Sequence, residues 1–198
     1  MRTRELVSAA AAGVVGGYVG TRVMNPVTTK LQQLAPEADK QREKAVSPGS
    51  PYKIGAQKAA DRLGVTLTEE QLNSAASAMP YTVGVAGGLL YVALRRVLHL
   101  SPVLAGLISG MALFVIVDEG LTPRLGLSAP DRAYPVSTHL RGFIGHLAYG
   151  AALAATAEVL LSERRWRYQD SLARAEAPSY WGHRIRLGPL NTSGSRRS

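Results

Sequence analysis

The sequence predicts an all-α integral membrane protein, a four-helix bundle with a partly helical extramembrane connection between spans 1 and 2. Three observations predict it. Apolar residues gather in four blocks of about 20, the length that crosses a hydrocarbon core of about 30 Å. No block alternates in the manner of a strand. Charged residues collect between and after the blocks. A 198-residue chain that is 46% hydrophobic therefore has a mean hydropathy near zero, although its local windows are strongly apolar.

The spans are expected at residues 6–24, 75–94, 98–117 and 142–161, within a membrane domain covering residues 1–161. The first is flanked by Arg2 and Arg4, and the second is followed by Arg95 and Arg96. In the third, Ser101 and Pro102 suit an N-cap and a first helical position. The apolar helix from there to Val117 is about 25 Å long. Asp118 and Glu119 then fall where the membrane ends, with Gly120, Pro123 and Gly126 breaking the helix beyond them. The competing readings are a soluble bundle with four buried helices and, for the first block, a cleaved signal peptide. Arg22 near the end of that block and the lack of a small-residue cleavage site weigh against the latter.

The connection 25–74 is polar. "SPYKIGAQKAADRLG" carries Ser50 and Pro51 as a helix start and Gly64 as a stop. "TEEQ", Thr68 to Gln71, has capping-box form and leads into the second span, where Pro80 is either a kink or an early-turn residue. This connection is expected to form a small helical cap over the outer surface of the bundle. Small residues recur four apart in every span: Gly13 and Gly17, Gly16 and Gly20, Gly84 and Gly88, Gly106 and Gly110, Ala148 and Ala152, Ala151 and Ala155. Such residues let helix backbones approach in lipid. Packing within the chain is the expected use, and homo-oligomerisation or a membrane-protein partner is the other.

With spans three and four antiparallel, six side chains are expected at one depth near the outer surface: Arg22, Asp118, Glu119, His139, Arg141 and His146. Three chemistries compete for them. One is a salt-bridge and hydrogen-bond network, because unpaired charges near lipid are costly. Another is a proton or cation site, because histidine titrates near neutral pH. The third is a metal enzyme built on His139, His146 and a carboxylate, which no HExxH-like motif supports. The expectation is a network, with no catalytic, metal or cofactor-binding residue assigned. Glu158, near the inner end of the fourth span, is expected to be a structural acid paired with Arg95, Arg96 or Arg165.

The chain has no cysteine, which excludes disulfides, thiolate catalysis, iron–sulfur clusters and Cys-based zinc sites. The formal charge is +9, and eight arginines follow residue 161. Residues 162–198 form a basic C-terminal tail. Arg164, Arg165, Trp166, Arg167, Tyr168 and Trp181 suit the lipid interface. Aromatics anchor there, and each basic residue gains about 1 kcal/mol from anionic headgroups. The partners expected are therefore the bilayer and anionic lipid, and nucleic acid is not among them, since no module supports it. Arg95 and Arg96 lie on the same side as the tail, so the positive-inside rule puts both termini in the cytoplasm. The seven basic residues of the first connection weigh in the opposite direction.

"DEGLTPRLGL", "STHLRGFIGHLAYG" and the glycine-rich first span running into "VMNPVTTKL" resemble the YagU-like bacterial inner-membrane family. The resemblance covers residues 6 to 161, and "GLTP" and "GHL" are its specific parts. It implies a multi-span inner-membrane protein of unassigned activity and brings no catalytic residue or cofactor with it. The expected function is a non-enzymatic structural or accessory role in the cell envelope. A small transporter or proton-coupled channel using the outer charges is the alternative, and a membrane-embedded metal enzyme the minor one.

Overall fold

The computed structural model describes residues 3–176, with side chains described through Ser162. The chain divides into two units, residues 1–163 and 164–198. Of the second unit only helical backbone, to Glu176, is described. The tail side chains from Arg164 to Tyr168, and all of Trp181, lie outside the described residues.

No strand occurs among the described residues. The helices are α1 (Thr3–Leu34), α2 (Glu37–Val46), α3 (Pro51–Arg62), α4 (Glu69–Val97), α5 (Pro102–Ala112), α6 (Thr122–Arg124) and α7 (Val136–Glu176). Between α5 and α6 the chain stays helical as a π-helix, Leu113–Leu121, and a 3-10 turn, Asp131–Ala133, precedes α7. The starts are those the sequence encodes. Ser101 accepts from the Leu104 amide, and Ser50 from the Lys53 amide. Thr68 and Gln71 close a reciprocal capping box. Gly64 takes the left-handed φ of +66° that stops α3.

Helix lengths differ from the expected blocks. α1 runs ten residues past Met24 through Pro26. Proline removes one ladder donor, and the Thr28 hydroxyl bonds the carbonyls of Met24 and Asn25 just beyond it. Pro80 lies well inside α4, so it is not an early-turn residue. Gly120 and Pro123 do not break the third span, which stays helical to Arg124. At Pro123 the ladder passes from i+5 to i+4 pairing, and side chains serve nearby carbonyls: Thr122 Oγ1 donates to Val117 O and Arg124 to Gly120 O. Gly126, at φ +64°, is the residue that ends it.

Among the described residues four helices are long and apolar enough to cross a membrane: Thr3–Leu34, Glu69–Val97, Pro102–Arg124 and the Val136–Ser162 stretch of α7. They pack antiparallel through glycine. Gly13 and Gly17 of α1 meet Gly88 and Gly84 of α4 backbone to backbone, and Gly106 and Gly110 of α5 meet Gly150 and His146 of α7. Gly16 and Gly20 of α1 receive Leu153 and Tyr149 of α7. The glycine repeats are thus used within the chain. On α7, however, Ala151 and Ala155 are exposed, and the packing face is Gly150, Leu153, Ala154 and Ala157 instead.

The interior is small: Ala12, Tyr91, Ala105, Tyr149, Leu153, Ala154 and Ala157. Larger apolar side chains point outward, among them Val15, Leu89, Leu104, Val115, Ile116 and Val159. At most 39% of any crossing stretch is buried. A water-soluble bundle would reverse this distribution, because large apolar patches are rarely left in water. Lipid satisfies such a surface, and glycine contacts rather than bulky side chains bring helices together there. The bundle is that of a multi-pass membrane protein.

Candidate functional site: a charged cap on the bundle

The cap side of the bundle carries α2, α3 and the connection between α6 and α7. Polar bonds join these segments. Arg42 donates to Ala133 O, and Lys58 to the carbonyls of Leu125 and Gly126. Lys53 pairs with Glu69 across the turn into α4.

Asp118 and Glu119 lie in the last turn of the π-helix. π-Helical turns are rare and recur at functional sites. Here the wide turns face both acids toward α7. Glu119 Oε1 stands 2.8 Å from His139 Nδ1, while the other ring nitrogen of His139 lies 3.1 Å from Asp131 O. Both nitrogens therefore face acceptors, and the ring bonds both only as an imidazolium. Asp118 Oδ2 lies 3.7 Å from His146 Nε2. His146 is 4% exposed, its Nδ1 donates to Gly142 O, and the Phe114 ring stands 5.7 Å away. The proton of neutral His146 is thus on Nδ1, so a direct bond to Asp118 needs a further proton on one partner. The phenol of Tyr52 of α3 is pushed up to about 12 by burial and then by the nearby Asp118 carboxylate.

The six expected residues separate into three groups. The two acids meet the two histidines. Arg141 turns away and binds Glu43 of α2 with both terminal nitrogens, at 3.1 and 2.8 Å, and Thr138 donates to the same carboxylate. Arg22 joins neither and stands exposed on α1, one turn after Tyr18. Glu43, Tyr52 and Thr138 carried no sequence signal, because their partners stand far along the chain. At the opposite end Glu158 is held by Arg95, with two nitrogens at 3.0 Å, and by the Tyr91 hydroxyl at 2.8 Å. Arg95 also donates to Leu100 O, which ties the α4–α5 hairpin to α7.

Between His146 and Glu158 on α7 lie Tyr149, Leu153 and Ala157, each at most 1% exposed. Tyr149 crosses the bundle to donate to Gly84 O at 2.6 Å. A shallow cavity of about 330 Å³ lies off this axis, lined by Gln32, Lys40, Glu43, Lys44, Ser47 and Gly49. Among the described residues no three His, Asp or Glu side chains converge as metal ligands. Comparison with family models, with curated proteins and with solved structures found no match.

Proposed function

We propose that the chain is a non-enzymatic membrane protein with a structural or accessory role in the bacterial inner membrane. Both termini are cytoplasmic, and the basic tail meets anionic lipid. One observation carries this reading. Tyr149, Leu153 and Ala157 fill the helix interface between the outer and inner charged groups, and the glycine contacts hold the facing backbones close. Apart from Arg22, the outer charges face carboxylate or imidazole partners, as a locking network requires. Arg95 and Arg96 on the hairpin side favour the orientation, and the YagU-like resemblance favours the compartment.

The second reading, a proton-coupled transporter, is favoured by the buried His146 facing Asp118. A flux assay in reconstituted vesicles separates the two. The structural reading expects no ion or proton flux that changes with His146→Ala or Asp118→Asn. Flux abolished by either substitution would replace it with the transport reading.

A further inference from the structure

Arg22 stands outside the charged network, and its surroundings point to a ligand. It lies on the exposed side of α1, two residues before the apolar block ends at Met24. Tyr18 lies one turn before it on α1, and among the described residues no ion pair joins Arg22 to a carboxylate. The crossing of α1 and α4 at Gly17 and Gly84 sets Tyr18 and Tyr81 together. Their rings stack with centroids 5.0 Å apart and planes at 28°. A cation thus stands one helical turn beyond a stacked pair of phenols, close to the end of the apolar block. An unmatched charge at this depth is costly. The arginine stem lets the guanidinium rise to the interface, and its planar fork matches two phosphate oxygens. Tyrosine hydroxyls at this level are further donors.

We propose that Arg22, Tyr18 and Tyr81 form a site on the α1–α4 groove for the phosphodiester of a membrane phospholipid in the cap-side leaflet. The guanidinium takes two phosphate oxygens and the phenols donate to the oxygens that remain. The acyl chains lie along Val14 of α1 and Val85 of α4, one turn deeper on the same faces. The site rests on the membrane reading of the chain and is independent of whether the bundle transports anything.

Native mass spectrometry of the full chain in detergent, with added phosphatidylglycerol, tests it. Wild type should retain one phospholipid after others are stripped. Arg22→Gln should lower the retained fraction about fivefold, the loss of one basic residue beside an anionic headgroup. Arg22→Lys, which keeps charge but not the fork, should fall between, as should Tyr18→Phe with Tyr81→Phe. Diacylglycerol, which lacks the phosphate, should not be retained. Glycerol phosphate and inorganic phosphate should fail to displace the lipid. Arg22→Gln should melt as wild type does in lipid-free detergent, because the side chain is exposed. Unchanged retention by Arg22→Gln, equal retention of diacylglycerol, or displacement by the soluble phosphates would each overturn the proposal. A chain that stays dispersed without detergent would instead overturn the membrane reading beneath it.

Discussion

Arg141 and Glu43 form a two-pronged ion pair across 98 residues of sequence, with nitrogen–oxygen distances of 2.8 and 3.1 Å. The pair fastens α2 to the start of α7, and both side chains are mostly buried. Glu43→Ala should lower stability in detergent by about 1.5–3 kcal/mol, the range for hydrogen bonds to charged groups. It should also speed proteolysis in the Ser47–Ser50 turn. Removing Thr138 as well should add little, since its hydroxyl bonds the same carboxylate. Chemical denaturation and limited proteolysis of the variants measure both effects.

The glycine contacts make a second expectation. A Cβ at Gly88 or Gly17 would meet the backbone of the facing helix, which cannot yield as a flexible side chain would. Gly17→Ala and Gly88→Ala should each cost about 1–3 kcal/mol, as overpacking does. Ala155→Leu, on the exposed side of α7, should leave thermal unfolding in detergent unchanged. A loss at Ala155 comparable to that at Gly17 would mean that a second chain covers this face.

Asp118 faces the second ring nitrogen of His146. Nδ1 of His146 already donates to Gly142 O, so Nε2 of the neutral ring is an acceptor turned toward Asp118. Asp118→Asn supplies a donor to Nε2, whereas Asp118→Ala leaves it without a polar group to bond, so Asp118→Asn should be the more stable of the two. Melting curves of both variants in detergent decide this.

His99, in the hairpin between α4 and α5, holds a left-handed φ of +53°. Side chains other than glycine are strained there, by about 1 kcal/mol or more. His99→Gly should therefore raise stability by about 1 kcal/mol. A loss in the same melting assay would show that the imidazole makes a contact of its own.

Much of this architecture is legible in the residues. The apolar blocks locate the crossings, and Ser50, Gly64, Thr68 and Ser101 mark ends that depend on local chemistry alone. The glycine pairs declare close packing, although only the folded chain tells that Gly150 and Ala154, rather than Ala151 and Ala155, carry it on α7. The π-helix is not legible. No residue in "LFVIVDEGL" prescribes its wider hydrogen-bond offset. Gly120 and Pro123 read as breakers because isolated helices obey local propensity, whereas here Thr122 and Arg124 bond the nearby carbonyls. The outer acids and histidines meet in pairs, Glu119 with His139 and Asp118 with His146. Arg141 and Arg22 were drawn into the same cluster because depth alone cannot choose between partners, and Glu43 and Tyr81 are brought near only by the cap and by the α1–α4 crossing.

The absence of cysteine from the chain permits a direct test of the closed bundle. Single cysteines at Leu153 and Ala157 on the packed axis, and at Ser162 on the exposed hairpin side, can be challenged in vesicles with a membrane-impermeant thiol reagent offered on either face. A closed structural bundle predicts rapid labelling at Ser162 from one face only, and none at Leu153 or Ala157 from either. Labelling of Leu153 or Ala157 at a rate approaching that of Ser162 would reveal water along the axis and contradict it.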